Sequence, residues 1–372
     1  MTPPAPKTPP RPRVRRLVVF VGLVAVTLLA AACGSSSHKS AGSGSSPSGA
    51  ASGSASSGSA SAAAATTATT TTTVAAADKS SLPALRVGDQ AGTGAEALLQ
   101  ASGLLHKLPF TVKFADFTSG PPILQALGAG DLDIGGVGNA PPVFAAAGGS
   151  KIDIVGALRN NTKSAALLVP KGSKITSVSQ LKGKRIAVAE GSSGDYHLLQ
   201  VLTKAGLSPH DVQLDYLQPA QALAAFSSGA VDAWDIWSPY IEQSVMQKGA
   251  KIIAGGAGYG TVYSYEVASQ SSVANATRAK EITEYLRELD RAHVWVNTHP
   301  AAWAKTWAAA TGLPQSVMLK AAKDDDETPV PVNSTIASSE QGLVSAFSKA
   351  GLIPKSYSFA SYVSTAFNSS LH

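Results

Sequence analysis

Four segments of this chain place small, hydrogen-bonding residues where a helix is expected to begin. They are Gln90-Ala91-Gly92-Thr93-Gly94, Ser119-Gly120-Pro121, Asn139-Ala140-Pro141-Pro142 and Ser192-Ser193-Gly194-Asp195. A helix N-terminus carries free backbone N–H groups and the positive end of the macrodipole, so it can hold an anion without a cationic side chain. Proline in the first turn sacrifices no needed donor, and Ser or Asn ahead of it can cap the helix. Each segment alone reads as an ordinary cap or turn; four together, at equivalent places in two similar halves, point to one shared anion site. A second cluster, Trp234-Asp235-Ile236-Trp237, closes a strand. Alternation puts Trp234 and Trp237 on opposite faces, so one indole can be core while the other forms an apolar wall for a ligand. Asp195 and Asp235 either cap helices or accept hydrogen bonds from a ligand amine. Arg159 either adds a charge-assisted bond or lies on the surface.

The elements that must hold these residues are read from periodicity. From Asp78 onward, short apolar runs alternate with helical patterns, the signature of an α/β protein with mainly parallel sheets. Strands are expected at Leu85 to Gly88, Ile152 to Leu158, Ala165 to Val169, Arg185 to Ala189 and Lys251 to Ile253. Helices are expected at Ala95 to Ser102, Leu198 to Ala205 and Glu281 to Val296. A weak repeat of roughly 100 residues spans a whole lobe rather than a solenoid unit. The loop and helix Gln90 to Gln100 recur as Glu190 to Gln200, and the helix, turn and strand Ala126 to Ile134 recur as Ala225 to Ala233. Ligands of open α/β sheets bind at the carboxyl ends of strands, which is where both halves carry their Gly/Ser/Thr loops.

Charge excludes one class of partner. Lys and Arg total 30 against 24 acids, but Lys7, Arg11, Arg13, Arg15, Arg16 and Lys39 all precede the first acid. Without those six the balance is 24 to 24, so the basic pI is no sign of nucleic acid. The early cations precede an apolar run from Leu17 to Ala32, and the only cysteine, Cys33, follows it. That arrangement reads as a signal peptide over 1–32 with Cys33 as the lipidated residue. A Ser/Gly/Ala/Thr tether over 33–78 has nothing to bury. With no later cysteine, the body depends on its hydrophobic core.

Longer stretches carry a family resemblance. GVGNAPPVFA (Gly136 to Ala145), LKGKRIAVAEGSSGDYHLL (Leu181 to Leu199), GAVDAWDIWSPY (Gly229 to Tyr240) and GLIPK (Gly351 to Lys355) together resemble the aliphatic sulfonate-binding proteins of ABC importers. The resemblance implies a type II periplasmic-binding-protein fold, with lobe 1 at 79–166 plus 264–372 and lobe 2 at 167–263. It implies a monomer that closes on a small organic anion and presents it to a membrane permease, with neither cofactor nor metal. Asn139 and Ser238 stand where the family usually has Asp. Relatives that bind taurine, nitrate or a thiamine-precursor pyrimidine remain alternatives, as does a pyrimidine-synthesising enzyme on the same fold.

Enzyme signatures are thin. Ser179-Gln180-Leu181-Lys182 has the Ser-x-x-Lys spacing but none of its companion motifs. No His-Glu-x-x-His occurs, and His293 and His299 are too far apart for one metal-binding helical face. Asp324 to Glu327 reads as a solvated acidic loop.

Overall fold

The structure is a computed structural model that describes residues 83–90, 94–161, 163–259, 263–324 and 326–370. The expected signal peptide, Cys33, the tether and Thr93 lie outside the described residues. The first sheet starts with β1 (Leu85–Gln90), α1 (Ala95–Ala101), β2 (Val112–Phe117), α2 (Gly120–Ala129), β3 (Ile134–Gly138), α3 (Ala140–Ala147) and β4 (Ile152–Asn160). The chain then builds a second sheet from β5 (Ala165–Val169), β6 (Arg185–Val188), α4 (Ser193–Lys204), β7 (Gln213–Tyr216), α5 (Pro219–Ser228), β8 (Ala233–Trp237), α6 (Tyr240–Lys248) and β9 (Lys251–Gly255). It returns to the first sheet with β10 (Tyr263–Ser269), followed by α7 (Gln270–Ala274), α8 (Ala276–Thr298), α9 (Pro300–Thr311), α10 (Gln315–Asp324), β11 (Glu327–Val330) and α11 (Ser334–Lys349).

Strand order is β11-β4-β10-β3-β1-β2 in the first sheet and β7-β6-β8-β5-β9 in the second. Both contain three neighbouring parallel strands, β2-β1-β3 and β7-β6-β8, and each triplet abuts an antiparallel strand, β10 or β5. The chain leaves the first sheet after Asn160, enters the second at Ala165, leaves it after Gly255 and rejoins the first at Tyr263.

The duplication is visible in backbone chemistry. Asp133 accepts from the Arg86 amide at 2.9 Å and returns its own amide to the Arg86 carbonyl; Asp232 does the same with Arg185 at 2.9 Å. Gly130 and Gly229 end α2 and α5 with φ of 82° and 76°, a left-handed conformation that glycine adopts without a Cβ clash. The first copy is the more heavily tied, because Arg86 also grips Asp133 through its guanidinium at 2.8 Å and Ser272 donates to the same carboxylate.

The inner strands of each sheet are buried on both faces, which explains why they read as continuous apolar runs. One face of the first sheet packs against α1, α8, α9 and α10 through Leu85, Val87, Tyr285, Leu289, Trp303 and Met318. The other packs against α2, α3 and α11, and Tyr196 and Leu199 of α4 join that cluster from the opposite half. Helix α8 buries Ile282, Tyr285, Leu286, Leu289, Ala292 and Val296, the spacing of one helical face. It runs longer than expected from the sequence, and α4 starts at Ser193 rather than Leu198, because Ser192 caps it.

Gly135 sits where β1, β3 and α2 meet. A Cβ there would lie 2.6 Å from Ile123 Cγ2 and 3.0 Å from the Gly88 carbonyl. Since backbone cannot yield, Gly135→Ala is expected to lower stability by about 1–3 kcal/mol, read as a reduced midpoint in urea unfolding.

Candidate functional site

Residues from the carboxyl ends of β1, β3, β6 and β8 line one cavity of about 190 Å³ between the two sheets. Its donor end is formed by Gly120, Gly138, Pro141, Ser192, Ser193 and Trp237. The first-turn amides of α2, α3 and α4 have no acceptor within their own helices, and Pro121, Pro122, Pro141 and Pro142 thin the supply to a few N–H groups. Ser193 Oγ and Trp237 Nε1 are buried and have no hydrogen-bond partner among the described residues. Both are donors, so an anion between them would meet two side-chain donors as well as backbone N–H groups.

Contacts between the halves hold this end shut. The hydroxyls of Thr118 and Ser119 donate to Gln218 Oε1 at 2.9 and 2.8 Å. A Cβ at Gly138 would overlap Ser193 Oγ, and one at Gly191 would meet the Phe144 ring at 3.3 Å. Tyr196 packs on Phe347 with ring centroids 5.5 Å apart.

The structure sorts the expected residues. Gln90, Gly120, Ser192, Ser193 and Trp237 line the cavity. Asn139 and Ala140 are buried at the start of α3 beside it, with Asn139 Oδ1 lacking a partner among the described residues. Ser119 is spent on Gln218 and Ser192 on its cap, where Ser192 Oγ accepts from the Asp195 amide. The α1 segment departs from expectation: Asp89 accepts from the amides of Gln90, Ala95 and Glu96 at 2.8–3.0 Å, so the carboxylate already occupies that helix start beside Gly94. Asp195 follows the capping alternative, accepting from the Gly191 amide at 2.9 Å while Gly194 packs on the Asp235 backbone. Trp234 is fully buried against Phe226 and Tyr240, which makes it the core indole. Asp235 neither caps nor reaches the cavity lining; it lies beneath α4, bound to His197 Nδ1 at 2.8 Å, and against the burial that lowers the imidazole's pKa it holds that pKa above its ordinary value. Arg159 is exposed.

Other lining residues escaped the sequence reading. Trp303 and Trp307, one turn apart on α9, stack at 4.9 Å and form part of the wall. Glu266, Glu327, Asn160 and Ser264 come from strands β10, β11 and β4, with His293 from α8. Glu327 is therefore part of an edge strand and not of a solvated loop. The i, i+4 spacing of the two tryptophans was the one local signal available.

The NMT1-like family matches residues 78–256. An aliphatic sulfonates-binding protein of Escherichia coli (strain K12) is 33% identical over 76% of this chain and 88% of its own length. The chain belongs to the aliphatic sulfonate-binding protein family. A second family member, from Bacillus subtilis (strain 168), is 30% identical over 71% of this chain and 79% of its own. Among solved structures, the alkanesulfonate-binding protein SsuA from Xanthomonas axonopodis pv. citri bound to MOPS superposes with a TM-score of 0.71 at 33% identity, covering 76% of this chain and 98% of that one. The periplasmic-binding-protein fold and the family expected from the motifs both hold.

Burial leaves this family member with costly acids. It pushes the Asp89 carboxyl up to about 6, Asp195 and Asp290 to about 7 and Glu340 to about 8, the last despite a hydrogen bond from Tyr265 at 2.8 Å. A folded-state pKa raised above the unfolded value means the folded chain binds more protons between the two, so these groups favour folding as pH falls. The window runs from about pH 8 down to about pH 4. Buried His293 acts in the opposite sense, its pKa lowered. Four acids outweigh it, so thermal unfolding is expected at a higher temperature at about pH 5.5 than at about pH 8; a scan of Tm against pH reads this directly.

Proposed function

We propose that this chain is the substrate-binding protein of an ABC importer, capturing a small aliphatic sulfonate in the cavity between its two sheets. One observation carries the reading: a cavity lined both by unpartnered donors, Ser193 Oγ and Trp237 Nε1, and by the Trp303–Trp307 pair. A sulfonate stays ionised throughout the physiological range and needs donors rather than a titrating base. Its hydrocarbon tail needs an apolar, aromatic wall. The names of the Escherichia coli and Xanthomonas relatives point the same way.

The role is binding, not turnover. The halves close on the ligand because each contributes part of the donor set, so ligand favours the closed form. The closed protein docks on a membrane permease. A leader over 1–32 directs the protein out of the cytoplasm, where an acyl anchor on Cys33 and the Ser/Gly/Ala/Thr tether keep it near that permease.

Thermal-shift titration tests the ligand class. An alkanesulfonate at ~100 times its Kd is expected to add about 2.7 kcal/mol of stability, with no shift from nitrate or a pyrimidine and no sulfite released. A response to the pyrimidine alone would overturn the sulfonate reading. The two serines separate binding from folding: Ser193→Ala is expected to weaken sulfonate binding ~10-fold at unchanged stability. Ser192→Ala is expected to cost ~1 kcal/mol of folding stability as a lost cap.

A further inference from the structure

Two stretches of the sequence, 167–189 and 243–265, carry lysines and no acid at all. The fold brings them together on the second sheet. Strands β5 and β9 pair antiparallel, with Val169 opposite Lys251 and Leu168 opposite Ile252, and α6 ends at Gly249 just ahead of β9. The Lys171 stem crosses that helix end, since a Cβ at Gly249 would lie 3.1 Å from Lys171 Cδ. Lys171, Lys174, Lys248 and Lys251 are exposed and form no ion pair among the described residues. Elsewhere on this sheet charge is balanced: Lys182 pairs with Asp211, Arg185 with Asp215, and Asp232 accepts from the Arg185 amide.

Apolar surface lies in the same place. Among the described residues four large apolar side chains are exposed, and two of them, Met246 on α6 and Ile252 on β9, belong here. Ile252 stands opposite Leu168, which packs with α5 and α6, and cross-strand partners share a face. Ile252 therefore emerges beside α6, on the edge strand of the sheet. Lysine on an edge strand also discourages pairing with another strand, but that purpose gives no reason to expose Ile252 and Met246 next to it.

The patch is remote from the cavity. Ala165 and Trp237, paired across β5 and β8, line the cavity, whereas Val169 and Lys251 stand at the opposite end of β5. A surface held there leaves the cavity free to open. Lysines around exposed apolar side chains complement an anionic lipid leaflet, because the ammonium groups meet phosphates while the hydrocarbon enters the headgroup boundary. An acyl anchor keeps the local concentration of leaflet high, so a weak contact is enough.

Building on the reading of a chain anchored at Cys33, we propose that Lys171, Lys174, Lys248 and Lys251, with Met246 and Ile252, form a docking surface for an anionic lipid bilayer. The anchor holds the protein to the membrane, and the patch lays the second sheet against it with the cavity clear of the lipid.

The test uses the mature protein with one introduced cysteine, Ile252→Cys or, for comparison, the equally exposed Val294→Cys on α8, labelled with a polarity-sensitive fluorophore. Vesicles are of phosphatidylcholine alone or of phosphatidylcholine with phosphatidylglycerol. The Ile252→Cys label is expected to shift to the blue on the anionic vesicles only, and the Val294→Cys label on neither. High salt should abolish the shift by screening. Lys171→Gln, Lys174→Gln, Lys248→Gln and Lys251→Gln together should abolish it too, with sulfonate affinity unchanged. An equal shift on neutral vesicles, an equal shift at Val294→Cys, or no shift at either position overturns the docking surface. If the fourfold variant does not fold, the salt dependence still decides. The chain without an introduced cysteine tests the anchor separately: label taken up at Cys33 overturns acylation, while the difference between the two introduced positions still decides the docking surface.

Discussion

Ser193 can stand against Gly138 only because glycine offers no Cβ, and much of the molecule follows from that contact. It joins the end of a strand in one sheet to the start of a helix on the other, so it fixes how closely two separately built halves approach. Gln218 reinforces it by accepting from Thr118 and Ser119 across the same gap, and Phe144 packs over Gly191. Larger residues at these places would hold the halves apart and leave the cavity open to water. Water would satisfy Ser193 Oγ and weaken every electrostatic interaction inside.

The four helix starts divide their labour. At α1 the amides go to Asp89 from the preceding strand, which secures the short helix but removes it as an external anion site. Helix α4 uses Ser192 and Asp195 for capping and still presents Ser193. Helices α2 and α3 begin with paired prolines, which set the backbone for a helix and leave few donors to satisfy. Beneath α4, His197 and Asp235 form a fully buried pair that fixes the helix against β8 and so positions the serines above it.

The acidic lining of the cavity has a different origin. Glu266 reaches it because two glycines on neighbouring strands leave a trough in an otherwise filled sheet face. Burying a carboxyl group without a partner is unfavourable, and the surrounding core of α8, α9 and α10 must offset it.

What is local was legible in the residues alone. Apolar runs and proline helix starts depend on residues within a turn or a strand of one another, and with the repeat of roughly 100 residues they made a two-lobed α/β architecture legible. Ser193 and Gly120 were legible for the same reason. Tertiary structure alone decided which tryptophan faces the cavity: alternation separated Trp234 from Trp237, but only the packing of α5 and α6 made the first the core residue. It also decided that Asp89 fills the start of α1 and that Asp235 meets His197. Glu266 and Trp303 could not be placed from sequence, because β10 and α9 reach the cavity only after the chain has built the second sheet. Which face of a strand is covered depends on helices far along the chain, and no local spacing encodes that long-range choice.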